Sequence, residues 1–310
     1  MGKFALKLVV FAAIFLVFDK LFILVAHFSA EAEADKRLEY LINGTINKDI
    51  IIIGSSTGSR DIIASQIEEE TGLSTFNLCY PGSNVEFHEF ILRTLVKFNE
   101  SPEIMLLVVD DDVELLYEES IIYRKDRLYP LVKYPYIWRE LAEREERDKF
   151  LSNFVVLNRL NKYNFDIRKK KFTEIDTIQD CGSMPISWKP DDMEFDYIYG
   201  ERTYSQDEEL PEKVKAYMDI IETCKTNSIK LVVVFPPVYK THSKAFEKRI
   251  RELSGEEAYF YVYNTDNPLY RLEDNYFDAT HLMQNAATTY TDELISYLND
   301  LIENEIDINN

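Results

Sequence analysis

The chain has 310 residues, of which 46% are hydrophobic and 29% charged, and its formal net charge is −20. This composition suffices for one α/β domain with a sizeable core, and the low glycine and proline content argues against a disordered chain. The negative field excludes nucleic acid as a partner, because a duplex polyanion would be repelled. Three cysteines without metal-ligand spacing predict no disulfide scaffold, no metal and no cofactor, and leave a Cys181–Cys224 pairing open.

Residues 1–30 are predicted to anchor the protein in a membrane. An apolar run extends from Leu8 to Phe28, and one helical crossing of a bilayer takes about 20 residues. Lysines before the run and acidic residues after it predict a cytoplasmic N-terminus and an extracytoplasmic body. Asp19 and Lys20 interrupt the run, and charges are costly in hydrocarbon. A cleaved signal peptide and a peripheral helix are the alternatives, but the run is longer than a usual signal core, which favours the anchor.

After a charged connector, residues 31–48, apolar runs alternate with amphipathic segments. Short apolar runs bounded by glycine or proline are typical of buried parallel strands, and apolar residues at helical spacing predict helices. The predicted strands are Asp49–Ile53, Ser74–Leu78, Ile104–Val109, Ile229–Phe235 and Tyr259–Tyr263. The predicted helices are Arg60–Thr71, Val85–Phe98, Lys213–Asn227, Lys244–Leu253 and Ala286–Glu303.

This alternation predicts an α/β domain over residues 49–310. Parallel neighbours need crossover connections that cover both faces of the sheet, so we expect a flavodoxin-like three-layer α/β/α sandwich with a five-stranded parallel sheet in the order 2-1-3-4-5. The stretch 112–210 is too long for one crossover and is predicted to be a large insertion after the third strand, containing a helix over Ile137–Val156. A lid or substrate platform is the expected role of this insertion.

Two short polar motifs together predict a catalytic site. Ser56 lies in a turn after the first strand, at the edge where open α/β sheets place their sites, and near a helix N-terminus that favours negative charge. Asp278 and His281 precede the last helix, and at this spacing the carboxylate can orient an imidazole that takes the proton of a serine. Alone, each motif is weak: an ordinary turn and helix cap is the better explanation for the serine, and a histidine near a helix start is commonly structural.

Taken in this order, Gly54-Ser55-Ser56 and Asp278-x-x-His281 resemble the motifs of the SGNH (GDSL-like) hydrolase superfamily. The resemblance implies that Ser56 is the nucleophile, His281 the base and Asp278 its orienting carboxylate. Ser55 stands where that family usually has aspartate. The Gly-Ser-Ser form is more similar to a membrane-anchored branch that includes the D-alanyl-transfer protein DltD and polysaccharide O-acetylation proteins.

The same resemblance bears on the oxyanion hole. The stretch after the second strand resembles the glycine block of the family, which implies that the N–H groups of Ser56 and Gly82 hold the oxyanion, with Asn84 as a further donor. The Asn block of the family is missing, because Asp110–Asp112 follow the third strand instead. Losing one donor typically costs about 10²–10³ in rate. A metal or phospho-acceptor site at these aspartates is disfavoured, since the first strand ends in Gly-Ser-Ser.

The resemblance implies an extracytoplasmic serine esterase or O-acyltransferase acting on acylated cell-surface or exported polysaccharide, together with a membrane acyl-transfer partner protein. The alternative is a catalytically degenerate SGNH-like domain that binds glycan or acts as a scaffold in a membrane export complex. The basic run Arg168–Lys171 and the tyrosines of the insertion would suit an anionic headgroup or sugars, but a solvated face and internal packing are the simpler interpretations.

Overall fold

A five-stranded, entirely parallel sheet forms the centre of the protein, in the order β2-β1-β3-β4-β5. It is seen in a computed structural model that describes residues 2–109, 113–145, 147–166, 168, 170–190, 192–200 and 204–305. The strands are β1 (Ile50–Ile53), β2 (Thr75–Asn77), β3 (Ile104–Val108), β4 (Lys230–Phe235) and β5 (Ala258–Val262). The predicted α/β class, parallel sheet and strand order are confirmed.

The α-helices fall in the same alternating pattern. In chain order they are α1 (Gly2–Ala32), α2 (Arg37–Ile42), α3 (Ser56–Asp61), α4 (Ala64–Thr71), α5 (Val85–Phe98), α6 (Lys125–Leu128), α7 (Pro135–Arg144), α8 (Lys149–Phe154), α9 (Pro211–Thr226), α10 (Lys244–Ser254) and α11 (Gln284–Glu305). Short 3₁₀ turns occupy Tyr129–Leu131, Leu157–Arg159, Lys162–Phe165, Glu174–Asp176, Gln206–Glu208, Pro268–Arg271 and Glu273–Asn275.

The sheet is buried on both faces. Successive side chains of a strand point to opposite faces, and Ile50 and Ile52 of β1 join one apolar cluster with Leu106 of β3 and with Tyr290 and Leu294 of α11. The alternate residues of the strands lie on the side of α5 and α9, which pack against each other. Burial on both faces explains why the strands are continuous apolar runs rather than alternating ones.

The predicted helix Arg60–Thr71 is confirmed over Ala64–Thr71, but it is not continuous, because the chain breaks between α3 and α4 at Ile62 and Ile63. Ile62 has extended backbone angles, φ −115° and ψ 120°. The N–H of Ile63 donates to Thr291 Oγ1 at 3.2 Å, and Ser183 Oγ accepts the N–H of Ala64 at 3.0 Å. Two distant hydroxyls therefore satisfy the backbone groups that the break releases, a compensation that local helical spacing does not reveal.

The chain divides into two compact units. The sheet unit comprises Tyr40–Tyr123 and Thr173–Asn310, and the anchor unit comprises Met1–Glu39 and Arg124–Phe172. The predicted insertion is thus shared between them. All three cysteines are free, so the Cys181–Cys224 pairing that the sequence left open is absent.

Within the anchor unit, α1 is long and apolar enough to cross a membrane. The helix predicted over Ile137–Val156 is wrong, because α7 ends at Arg144 and α8 begins anew after Asp148. The carboxylate of Asp148 accepts the N–H of Leu151 at 3.0 Å, so Asp148 is the N-cap of α8.

The close packing of α3 on the sheet gives a first prediction. A Cβ added at Gly58 would lie 2.6 Å from Cys79 Sγ and 3.1 Å from Val108 Cβ. We expect Gly58→Ala to destabilise the protein by about 1–3 kcal/mol through overpacking, measured as a lower thermal unfolding midpoint. In a Cys79→Ala background the sulfur is absent, so the same substitution should cost less. An equal loss in both backgrounds would contradict this packing argument.

Candidate active site

The turns after β1 and β2 meet at the carboxyl edge of the sheet because these strands are neighbours, with Ile52 paired to Asn77. The carbonyl of Gly54 accepts the N–H of Tyr80 at 3.0 Å and the hydroxyl of Ser83 at 3.2 Å. A Cβ at Gly54 would lie 2.9 Å from both the Cβ and the carbonyl oxygen of Val108, so only glycine fits here. This shared carbonyl holds two turns side by side. We call the turn after β1, which contains Ser56, the serine turn, and the turn after β2, which contains Gly82, the glycine turn.

Ser56 is the first residue of α3 and is partly accessible, whereas Ser55 before it is fully buried. Among the residues that the structure describes, none forms a hydrogen bond with Ser56 Oγ. Of the two serines in the turn, Ser56 is therefore the one that a substrate could reach.

The loop containing Asp278 and His281 is held by main-chain bonds at its base. The N–H of Phe277 donates to the carbonyl of His281 at 2.8 Å, and Tyr276 and Leu282 form an antiparallel bridge. Inside the loop, both carboxylate oxygens of Asp278 lie 2.8 Å from His281 Nδ1. The structure thus brings these two predicted residues together.

The carboxylate of Asp278 is stabilised in its charged form. Burial acts to raise the pKa of Asp278, but hydrogen bonds and attraction from His281, together with hydrogen bonds from Thr280, outweigh it and hold the pKa well below its usual range. A charged carboxylate beside Nδ1 favours the tautomer with the proton on that nitrogen. Nε2 of His281 is buried and has no hydrogen-bond partner in the described part of the chain.

Asp61 connects α3 to the loop that contains Asp278 and His281, which we call the histidine loop. The sequence analysis missed this role. Its side chain is fully buried, and Oδ1 accepts the N–H of Leu282 at 3.0 Å. Thr291 of α11 donates to the main-chain carbonyl of the same aspartate at 3.4 Å. A charged residue directly before the apolar pair Ile62 and Ile63 was the available signal, because a carboxylate at a buried position usually has a specific partner.

Two of the predicted oxyanion donors, Gly82 and Asn84, differ in whether their hydrogen-bonding groups already have partners. Gly82 has a positive φ of 70°, and no described residue accepts its N–H. Asn84 is the N-cap of α5: its side-chain oxygen accepts the N–H of Phe87 at 3.2 Å, and its amide nitrogen lies 3.2 Å from Glu86. Asn84 thus has a structural role that the sequence analysis did not assign. The aspartates Asp110–Asp112 lie outside the described residues.

His88 contacts the glycine turn through the hydroxyl of Ser83. It is buried, with Nε2 2.9 Å from Ser83 Oγ and Nδ1 3.5 Å from the carboxylate of Glu114. Burial, aided by the positive charge of Lys213, lowers the pKa of His88 to about 3, although its contact with Ser83 acts in the opposite direction. A neutral His88 holds the serine hydroxyl that in turn binds Gly54. His88 therefore has a structural role in this turn.

Residues 181–186, which belong to the predicted insertion, pack beside the candidate site within the sheet unit. Gly182 packs so tightly on β2 that a Cβ would lie 2.1 Å from the carbonyl oxygen of Asn77. The N–H of Met184 donates to Ser59 in α3 at 2.6 Å, and the carbonyl of Ile186 accepts the N–H of Gln284 at 2.7 Å. Residues 181–186 therefore contact both α3 and the start of α11, which fixes these helices from the outside.

Two clefts lie beside this arrangement. The larger, about 740 Å³, is lined by Met283 close to the histidine, and also by Phe195, Lys189 and several acidic residues. The second, about 420 Å³, is lined by aromatic and polar side chains: Tyr197, Tyr199, Tyr239, Tyr263, His242 and Arg271. Both volumes lie in the range of small-molecule sites.

The loop after β4 connects the second cleft with the histidine loop. The N–H of Tyr239 donates to the carbonyl of Ala279 at 2.9 Å, and burial lowers the pKa of the adjacent Lys240 to about 8. Sequence reasoning missed Lys240, because nothing in the local pattern distinguishes it from a surface lysine. No group of three or more His, Cys, Asp or Glu side chains suited to a metal ion occurs in the described ranges.

The arrangement places an oriented imidazole, an accessible serine and a glycine N–H at one sheet edge. Because Nε2 has no partner, Ser56 Oγ is not within hydrogen-bond distance of it, and a proton transfer between them would require a side-chain adjustment. Such bonds are often long in substrate-free enzymes and shorten in the complex. The chain matches no known protein-family model, and no curated protein is significantly similar to it.

The lowered pKa of His88 predicts a pH dependence of stability. Between its ordinary pKa of 6.5 and its folded value of about 3, the unfolded chain binds a proton that the folded chain rejects, so stability falls as the pH falls through this window. The loss reaches about 3–5 kcal/mol at most. His88→Gln removes this titration and leaves an amide to contact Ser83. Chemical denaturation of both proteins across the window should give a shallower pH slope for the variant. Parallel slopes would exclude the assigned effect.

A further prediction concerns Asp61. Asp61→Ala leaves the buried N–H of Leu282 without its acceptor, and an unsatisfied buried donor costs about 1–3 kcal/mol. We expect a lower unfolding midpoint and a loss of any acyl-ester turnover, because the histidine loop is no longer fixed to α3. Asp61→Asn retains an oxygen acceptor and is the matched control, expected to lose less of both. If the two variants behave alike, the bond to Leu282 does not position the loop.

Proposed function

We propose that the protein is a membrane-anchored serine esterase or O-acyltransferase that acts through Ser56, His281 and Asp278. The observation that carries this proposal is the contact of both Asp278 oxygens with Nδ1 of His281, combined with a buried Nε2 that has no partner. Buried His88 also has one ring nitrogen without a hydrogen bond, so the feature that distinguishes His281 is its Nδ1, which both carboxylate oxygens of Asp278 contact. The proposal is that of an SGNH-like enzyme, and its family assignment rests on the motif resemblance.

In the proposed reaction Ser56 Oγ attacks the carbonyl carbon of an acyl ester, and its proton passes to Nε2 of His281. The charged Asp278 stabilises the imidazolium that forms. The oxyanion is held by the N–H groups of Ser56 and Gly82. His281 returns the proton to the departing alcohol, which leaves an acyl group on Ser56. Water or a glycan hydroxyl then takes this acyl group, so hydrolysis and transfer share the first half of the reaction.

The clefts support a proposal for the substrate class. Tyr197, Tyr199 and Tyr239 present aromatic faces, and Tyr239 is bonded directly to the histidine loop. Aromatic rings provide apolar faces and hydroxyl hydrogen bonds, a combination that suits sugars. We therefore propose an acylated polysaccharide as the substrate, with a membrane acyl-transfer protein as a partner.

Membrane anchoring through α1 is part of the proposal. The C-terminal half of this helix packs into the anchor unit, where Ala26, Ser29 and Ala30 are buried. Asn164 donates to Ser29 Oγ at 3.2 Å, and the carbonyl of Ala32 accepts the N–H of Lys170 at 2.9 Å. Removing residues 1–30 as a signal peptide would delete this packing, which favours an uncleaved anchor. The extracytoplasmic side is proposed from the charges that flank the apolar run.

The catalytic proposal is tested with a fluorophosphonate probe. Ser56 Oγ forms a bond to phosphorus, fluoride leaves, and the serine proton passes to His281. We expect labelling of the wild-type protein, none of Ser56→Ala, and labelling slowed by about 10²–10⁴ in Asp278→Asn, because the wrong imidazole tautomer is then favoured. Peptide mass spectrometry locates the adduct.

Ser55→Ala is the matched control, since it removes the neighbouring buried serine and should leave labelling unchanged. The rival proposal, a degenerate domain that binds glycan, is favoured by the missing contact between Ser56 Oγ and His281 Nε2. It predicts no labelling in any variant together with retained polysaccharide binding. A wild-type protein that folds but is not labelled would overturn the enzyme proposal.

A further inference from the structure

The charged pair Asp19–Lys20 within the apolar helix α1 has specific partners in the anchor unit. The carboxylate of Asp19 accepts the N–H of Val156 at 2.7 Å and that of Leu157 at 2.9 Å. Lys20 donates to the carbonyl of Phe154 at 2.6 Å, and its ammonium lies 3.3 Å from Asp19. Both charges of this pair are therefore engaged with the turn that follows α8.

The surrounding medium matters at the exposed side of this turn. Val156 and Leu157 begin a 3₁₀ turn, so their N–H groups have no acceptor within a helix, and Phe154 ends α8. The N–H of Val156 is buried by the protein and needs a partner in any medium, whereas in water solvent would satisfy the exposed carbonyl of Phe154. In hydrocarbon, irregular backbone is tolerated only where protein groups satisfy it. Asp19 and Lys20 provide the hydrogen-bond partners for this backbone, and together the two side chains carry no net charge.

The position of the turn along α1 indicates its depth. Asp19 lies 11 residues after Leu8 and 9 before Phe28. At 1.5 Å per residue these distances are about 16 Å and about 14 Å, within a hydrocarbon core of about 30 Å. Any bilayer that α1 crosses along its apolar run therefore reaches the level of α8.

The surface of the segment at this level is apolar. Phe150 is 73% exposed, Phe154 56% and Phe165 51%, and the rings of Phe150 and Phe154 pack against each other at 4.9 Å. Leu151 and Leu157 are exposed beside them. Exposed aromatic clusters of this kind mark contact surfaces rather than ordinary solvated faces.

The charge of the segment points to the kind of surface that covers it. Residues 147–172 contain eight basic residues and two acidic ones, in a chain whose net charge is −20. Lys149, Lys162, Arg168 and Lys171 are exposed. Aromatic residues interleaved with lysines and arginines suit the boundary between acyl chains and anionic headgroups.

We propose that residues 148–166, together with Arg168 and residues 170–172, form a second membrane-contacting element, which enters an anionic phospholipid leaflet alongside α1. Phe150, Phe154, Leu157 and Phe165 occupy the acyl region, and the flanking basic residues lie at the headgroups. The element holds the anchor unit against the bilayer over a wider area than a single helix does. This proposal rests on the proposed anchoring by α1 and is independent of the catalytic chemistry.

The experiment measures the depth of nitroxide labels in the full-length protein, reconstituted in vesicles of phosphatidylcholine and phosphatidylglycerol. Single cysteines are introduced in a Cys181→Ser background, since Cys79 and Cys224 are buried. The positions are Phe154→Cys in α8, Lys171→Cys in the basic flank and Leu16→Cys in α1. Leu272→Cys is the matched control, because Leu272 is 56% exposed, as Phe154 is, but belongs to the sheet unit. Relative accessibility to oxygen and to a water-soluble nickel complex reports depth.

We expect the label at Phe154 to match the hydrocarbon accessibility of the label at Leu16, and the label at Lys171 to lie between Phe154 and the aqueous Leu272 label. Adding Asp19→Ala should shift the Phe154 label towards water while the Leu16 label stays in hydrocarbon. Aqueous values at both Phe154 and Lys171 beside a hydrocarbon value at Leu16 would overturn the second membrane element alone. An aqueous value at Leu16 would overturn the anchoring and, with it, this proposal. Neither outcome bears on fluorophosphonate labelling, so the two proposals fail separately.

Discussion

The hydrogen bond from the N–H of Leu282 to the buried carboxylate of Asp61 joins the two parts of the chain that the candidate chemistry needs. Ser56 begins α3 and Asp61 ends it, while Leu282 directly follows His281. Because α3 is only six residues long, fixing its last residue also restricts where its first can lie. The bond thus places the serine turn and the histidine loop at one edge of the sheet, although more than 200 residues separate them.

Other contacts at this edge reinforce the same arrangement. The carbonyl of Gly54 accepts a hydrogen bond from the glycine turn. Because Gly54 and Gly58 have no side chain, β1 and α3 can approach Val108 closely. Below the turn, His88 remains neutral because burial disfavours its charged form, and it holds Ser83 in place. The charged Asp278 lies in the histidine loop, which main-chain hydrogen bonds close at its base. Polar groups at this edge are therefore positioned by buried partners rather than by exposed loops.

The sequence predicted the sheet well because parallel strands buried on both faces leave continuous apolar runs such as Ile50–Ile53. It also placed Asp278 beside His281, since three residues of separation set that geometry locally. The break at Ile62, the partner of Asp61 and the capping role of Asn84 were missed. Each depends on contacts between distant residues, such as Thr291 with Ile63, that no local pattern encodes. Asp19 and Lys20 counted against a membrane helix in the sequence, but the structure gives both charges partners in the anchor unit.

Ser56 and His281 are proposed to act on one substrate, although they are not hydrogen-bonded to each other in this structure. The most direct measurement is a crystal structure of the protein after reaction with a fluorophosphonate. We predict a phosphonyl group on Ser56 Oγ, with one of its oxygens about 3 Å from the N–H of Gly82 and Nε2 of His281 turned towards the adduct. Unmodified Ser56 in well-ordered crystals, with Nε2 of His281 directed away from it, would contradict the claim.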